Sequence, residues 1–212
     1  MQQSKKSIVV LLISIIILVT VFIIFFSNFI FICGKYYNKN SKELFLYHFM
    51  VDSEIPQSLI DPDLSSLKKF TKLEFLALFT AGNIDLYDLT ELGNLKELYI
   101  DQACFVNNWE ALSGLSQLER LWLANTRLKD LSYLRKLNNL KALYIARNPI
   151  DDISVVLNMP HLEVIDIYGT KVHDISPLLE LENLKRVIVK EGQLKDEDIA
   201  LLRENGIVVD VS

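Results

Sequence analysis

The chain has 212 residues and a formal net charge of −5, a length that suits one domain plus an accessory segment. Half of the residues are hydrophobic, but no charged residue occurs from Ser7 to Gly34. Lys5 and Lys6 are the charges of residues 1–34, so the rest carries 20 basic and 27 acidic side chains, a formal −7. Such a balance repels phosphate backbones and argues against nucleic acid as a partner.

Residues 1–7 read as a cytoplasmic tail. Residues 8–32 are apolar except for Ser14, Thr20, Ser27 and Asn28. As a helix this run spans ~37 Å at ~1.5 Å per residue, enough to cross a ~30 Å hydrocarbon core with some tilt. The expectation is a transmembrane signal-anchor helix over 8–32 and a single-pass membrane protein. A cleaved signal peptide fits less well, because the apolar core exceeds the usual ~7–15 residues and no A-x-A site follows. Cys33 suggests a lipidated cysteine, but Ile32 stands where a small residue is expected. Lys5 and Lys6 favour a cytoplasmic N-terminus, whereas Lys35, Lys39 and Lys42 pull the other way. Long C-terminal domains translocate largely regardless of charge, so the remainder is expected outside the cytoplasm. Residues 33–63 read as a juxtamembrane linker and N-terminal cap, with a short helix over Ser41–Phe49 and turns at Ile55-Pro56 and Asp61-Pro62.

From there the chain repeats itself. Leu140-x-x-Leu143-x-Ile145-x-x-Asn148-x-Ile150 returns 22 residues on as Leu162, Ile165, Ile167, Thr170 and Val172, then as Leu184, Val187, Val189, Gly192 and Leu194. Backwards the frame gives Leu118, Leu121, Leu123, Thr126 and Leu128. A step of 23 gives Leu95, Leu98, Ile100, Ala103 and Phe105, and a step of 22 gives Leu73, Leu76, Leu78 and Ala81. Six units over 64–194 thus share one frame, with a one-residue insertion within Cys104–Asn108. Three apolar positions precede each opening leucine at offsets of nine, six and three, and all eighteen slots are apolar, from Leu64, Leu67 and Phe70 to Ile175, Leu178 and Leu181. One residue before each first slot stands Asp63, Asp85, Asn108, Asp130, Asp152 or Asp174, and Asp196 continues the column. Three units read Asp-[Leu/Ile]-Ser, the last followed by Pro177. An Asp or Ser there caps free N–H groups, and Pro lacks the donor that would go unpaired. One carboxylate per unit suits capping better than a metal ladder.

This pattern resembles the leucine-rich-repeat family, in its 22-residue class found in bacterial internalins and phosphatase-regulator repeats. Val172-His173-Asp174-Ile175-Ser176-Pro177-Leu178 is similar to the internalin turn and convex segment. The resemblance implies an α/β solenoid with short parallel strands on the concave face, 3₁₀ or extended segments on the convex face, and no catalysis of its own. The family's bonding asparagine is replaced by Ala81, Ala103, Thr126, Thr170 and Gly192 in all units but that of Asn148, which puts the tightness of the first turns in doubt. Stacked units share a core that a single unit cannot form, and the exposed ends need covers. Residues 195–212 supply one: Asp196-Glu197-Asp198 opens a helix to Glu204, Gly206 suits a left-handed stop, and Ile207, Val209 and Val211 alternate as a strand.

Catalytic signatures are missing. His48, His161 and His173 sit in no H-E-x-x-H setting, Cys33 and Cys104 make no disulfide framework, and no P-loop, G-x-G-x-x-G or G-x-S-x-G occurs. Ser65-x-x-Lys68 matches S-x-x-K by accident of the repeat. No enzyme, metal or small-molecule cofactor is expected.

The concave face carries the informative residues. Alternation along each strand gives three outward columns. The first is Phe75, Glu97, Arg120, Ala142, Val164 and Arg186. The middle is Ala77, Tyr99, Trp122, Tyr144, Asp166 and Ile188. The third is Phe79, Asp101, Ala124, Ala146, Tyr168 and Lys190. Exposed aromatics with arginine are the stuff of binding hot spots. Tyr99, Asp101, Arg120, Trp122, Tyr144, Arg147, Asp166 and Tyr168 are therefore the expected partner-binding residues for a protein or peptide ligand. The sequence leaves two readings open: an extracytoplasmic binding module, and a cytoplasm-facing regulatory subunit that docks an enzyme.

Overall fold

A computed structural model describes residues 28–32, 35–48, 64–80, 82–101, 103 and 105–212. A hairpin comes first, in which β1 (Phe29–Ile32) pairs antiparallel with β2 (Lys35–Asn38). The main sheet follows, made of β3 (Glu43–His48), β4 (Phe75–Thr80), β6 (Glu97–Asp101), β8 (Arg120–Trp122), β9 (Ala142–Tyr144), β10 (Val164–Asp166), β11 (Arg186–Val189) and β12 (Val208–Val211). These eight strands lie side by side in chain order, all parallel. A smaller parallel pair joins β5 (Asn83–Asp85) to β7 (Phe105–Asn107).

Two expectations for the N-terminal region change. Among the described residues no helix is long and apolar enough to cross a membrane. Residues 8–27 of the expected spanning helix lie outside the described residues, and its end, Phe29–Ile32, is strand, as an alternation of β-branched and aromatic residues favours. The short helix expected over Ser41–Phe49 is also a strand where it is described, β3. Its Leu44 and Leu46 take the inward slots opposite Leu76 and Leu78 and are buried. The solenoid therefore begins one turn before the six units. The step from Leu44 to Leu76 is longer than the 22-residue period, and residues 49–63 within it lie outside the described residues.

The core is the sum of the inward leucines. Leu76, Leu98, Leu121, Leu143, Ile165 and Val187 stand in register across the sheet and are 0% exposed. Of the eighteen apolar slots on the convex side all are buried except Trp109 and Leu181, which are partly buried. The convex segments are single 3₁₀ turns, with one short α-helix, α1 (Ser176–Leu179), where Pro177 fits the donor-free first turn. The aspartate column caps these turns. Asp85, Asp130, Asp152 and Asp174 accept the N–H two residues on, from Tyr87, Ser132, Ser154 and Ser176, at 2.7–2.9 Å. The Ser154 N–H and hydroxyl hold the Asp152 carboxyl below its ordinary pKa. Helix α2 (Asp196–Glu204) then crosses the last turn, and Gly206 takes φ 80° before β12.

The turn after each concave strand must satisfy its own buried backbone groups. Asn148 does this for two units. Its Oδ1 accepts from the Thr126 and Leu128 N–H groups at 3.1 and 3.0 Å, and its Nδ2 donates to the Leu123 and Ile145 carbonyls at 2.6 and 3.0 Å. Gly192 offers no side chain, and its neighbour Gln193 takes over. Gln193 donates to the Ile167 carbonyl at 2.9 Å and accepts from the Gly169 and Lys190 N–H groups at 2.9 and 3.1 Å. Where alanine replaces asparagine, the backbones of β5 and β7 pair instead. This lengthens the turn, so Val106 is buried and Phe105, expected inward, is 57% exposed under the Arg127 guanidinium. β7 matches Asp85 to Asn107, which leaves Asn108, at φ 57°, as the inserted residue. Its amide donates to the Asp85 carboxylate at 2.7 Å rather than capping its own turn.

One edge of the sheet carries a ladder of alternating charge: Lys42, Glu74, Lys96, Glu119, Lys141, Glu163, Lys185. Ion pairs join Lys42–Glu74, Lys96–Glu74, Lys141–Glu119 and Lys185–Glu163 at 2.7–2.9 Å. Hydrogen bonds and charge from Lys42 and Lys96 pull the Glu74 pKa from 4.5 to about 2.

Two outcomes follow. In urea melts Leu143→Ala should cost ~2–5 kcal/mol through lost burial and a cavity, and Asp152→Ala ~0.5–2 kcal/mol as a lost cap. Equal, negligible costs would contradict the shared core. Glu74, with a depressed folded pKa, contributes fully above pH 4.5 and progressively less as pH falls towards about 2. Glu74→Gln should flatten the stability profile across that window at low ionic strength, and salt should shrink the difference because the pair is exposed.

Candidate functional site

Strand alternation sends one set of side chains into the core and the other onto the concave face. Parallel register then aligns the outward set: Tyr99 lies opposite Trp122, and Trp122 opposite Tyr144. Their rings stack, with centroids 5.9 Å apart at 17° and 4.4 Å apart at 23°. The stack runs further than the middle column alone suggests. Ala77 fills that slot on β4 and is buried. Phe75 bridges the gap, 5.2 Å from Tyr99 and 4.8 Å from Phe45 on β3. Five rings thus form one band across β3, β4, β6, β8 and β9. Phe45 escaped the fixed 22-residue step, but its signal is local: Lys42-Glu43-Leu44-Phe45-Leu46 parallels Lys96-Glu97-Leu98-Tyr99-Ile100.

The polar members of the expected site divide. Arg120 is exposed, and its Nη1 donates to Glu97 Oε1 at 3.0 Å. The Tyr99 hydroxyl reaches the other Glu97 oxygen at 3.5 Å, and burial followed by the Glu97 charge pushes its phenol up. Asp166 is not the outward group that alternation implies. It is 8% exposed and accepts from the Tyr168 N–H at 2.8 Å. Burial raises its pKa, against the opposing effects of that hydrogen bond and of Arg147. Asp166 therefore braces the turn at Tyr168 from the floor of the concave face, with little of it exposed. Arg147, left-handed at φ 56°, ends the β9 turn and lies over the Tyr168 ring at 5.6 Å. Asp101, Trp122, Arg147, Asp166 and Tyr168 come together around a groove of about 520 Å³. Among the described residues no three His, Cys, Asp or Glu side chains converge as a metal site.

A parallel sheet with one short strand per turn, leucines inward and capped 3₁₀ turns behind, defines a leucine-rich-repeat solenoid. The family model for two copies of leucine-rich repeats matches residues 116–158. Among solved structures, internalin C2 of Listeria monocytogenes is 30% identical, with TM-score 0.61 over 71% of this chain and 66% of that one. The internalin InlF of the same organism is 17% identical, with TM-score 0.53 over 84% of this chain and 63% of its own length. The plant peptide hormone receptor RGFR1, solved in complex with RGF2, is 19% identical, with TM-score 0.50 over 59% of this chain and 22% of its own. No curated protein sequence matches the chain. The chain is a leucine-rich-repeat protein of the internalin-like type. It spans slightly under two thirds of the length of the two internalins.

The band and the core should separate in thermal and urea melts. Trp122→Ala removes a partly buried ring and two stacking contacts, each worth ~0.5–1.5 kcal/mol. Leu121→Ala, one residue away but in the core, should cost more, ~2–5 kcal/mol. A larger loss for Trp122→Ala would make the band the fold's main support.

Proposed function

We propose that the chain is a membrane-anchored binding module whose concave face docks a protein or peptide partner outside the cytoplasm. The observation that carries this is the five-ring band opening onto the groove at Trp122. Outward aromatics beside a groove offer a partner apolar area with little entropy to lose, and arginines at the margin exclude water from it. A structural neighbour of this scaffold, RGFR1, is solved in complex with RGF2, which supports a ligand-binding use of the architecture. Catalysis has no place in the reading: the recurring geometry of the repeat serves stacking and capping. The anchor is the uncharged run that starts at Ser7, shortened at its far end by β1; the 21 residues from Ile8 to Asn28 still span ~31 Å as a helix. Lys5 and Lys6 favour a cytoplasmic N-terminus, and long C-terminal domains translocate largely regardless of charge. The second reading, a cytoplasm-facing subunit that docks an enzyme, is favoured by Lys35, Lys39 and Lys42.

In alkaline carbonate the full chain should stay with the membrane. External protease on intact cells should degrade the repeat domain; protection there, with digestion only after lysis, selects the cytoplasmic reading. Crosslinking pull-down of the partner should weaken by ~2 kcal/mol or more for Trp122→Ala. Unchanged capture by a folded Trp122→Ala variant would move the docking surface elsewhere.

A further inference from the structure

We infer that the groove beside the aromatic band recognises a basic side chain, arginine or lysine, on an extended segment of the partner. This rests on the concave-face reading above and narrows it. The groove arises from a gap in the third outward column. Ala124 and Ala146 stand there on two successive turns, their side chains ending at Cβ and each 9% exposed. Asp101 precedes them and Tyr168 follows. The ring of Trp122 forms one wall, and Arg147, held over Tyr168, closes the far end. The trough crosses the rows of β6, β8, β9 and β10, about 14 Å at sheet spacing, room for roughly four extended residues. It is longer than a lone amine or guanidine needs.

Charge decides the occupant. From β6 onward the other concave carboxylates are engaged. Glu97 holds Arg120, Asp166 accepts from Tyr168, and Asp210 lies 3.5 Å from Arg186. Asp101 differs: among the described residues its carboxylate has no hydrogen bond or ion pair. It lines the same groove as the Trp122 indole. A carboxylate beside an aromatic edge matches a guanidinium or ammonium, which gains charge-assisted hydrogen bonds from Asp101 while its stem packs on the indole edge, both faces of Trp122 being stacked on Tyr99 and Tyr144. The methylene stem of such a side chain suits the alanine floor. An acidic segment meets Asp101 and a domain of formal charge −7.

The test uses the full-length chain in detergent, in a Trp109→Phe background so that fluorescence reports Trp122. The probes are acetylated, amidated tetrapeptides Ala-Ala-X-Ala, with X arginine, lysine, glutamine or glutamate. The arginine and lysine peptides should quench Trp122 saturably, with the glutamine and glutamate peptides about tenfold weaker or worse. Asp101→Asn should erase that preference while leaving the melting curve in place. Equal binding of the glutamate peptide, no saturable quenching by any peptide, or an intact preference in Asp101→Asn would overturn the inference. If Trp122→Ala still loses the cellular partner while Asp101→Asn keeps it, the concave face docks but not through a cation. If both variants keep it, both readings fall.

Discussion

A single 22-residue turn cannot bury its own leucines. Leu143 and Ile145 are fully enclosed only because Leu121 and Leu123 lie on one side and Ile165 and Ile167 on the other. That dependence of each turn on its neighbours sets the rest of the structure. Stacking forces the strands parallel and in register, and register aligns every outward slot into a column. The band of rings is thus a by-product of core packing, since Tyr99, Trp122 and Tyr144 meet because Leu98, Leu121 and Leu143 do. The same dependence requires the ends to be covered, by β3 at one and by α2 with β12 at the other.

A stacked turn also has buried backbone to satisfy, and this chain meets that need in three ways. Asn148 reaches into the preceding turn with both ends of its amide. Gln193, one residue later in the frame and one methylene longer, reaches the Ile167 carbonyl and the Gly169 N–H. The first turns drop the side chain altogether and pair backbone with backbone through β5 and β7. The last solution moves the core position of that turn one residue along, which accounts for the exchange of Phe105 by Val106 at the core.

Much of this was legible because a fixed period multiplies weak signals. The inward leucines, the aspartate caps and the Tyr99–Trp122–Tyr144 column follow from one frame applied six times. The frame fails where the chain leaves its period. Leu44 and Leu46 sit beyond a longer step, so a window that reads as a short helix alone becomes a strand once β4 offers an edge. Phe105 fits the frame but not the geometry, because the alanines at 81 and 103 change the turn that follows them. Asp166 was placed outward by alternation alone. Alternation fixes the direction of Cβ but not where a short carboxylate finds its donor, and the Tyr168 N–H draws it down. Of the expected site, the aromatic members and Asp101 and Arg147 converge on one surface, Arg120 is tied to Glu97, and Asp166 lies beneath.

The charge ladder shows a second period inside the first. Asn-Leu-Lys opens the turns at Asn94, Asn139 and Asn183, which alternate with turns that open with Leu-Glu at Leu73, Leu118 and Leu162. Each asparagine donates to a carbonyl of the preceding turn, of Thr71, Ser116 and Pro160. Each lysine pairs with the glutamate before it, and Lys96 also feels Glu119. A turn slipped by one unit would set lysine beside lysine and glutamate beside glutamate, which parallel pairing penalises. Exposed pairs of this kind add little stability, so their effect lies in choosing one register among near-identical ones. They also neutralise each other along that edge. The field over the concave face is then left to the few charges without an ion pair, and in the groove at Trp122 these are Asp101 at one end and Arg147 at the other.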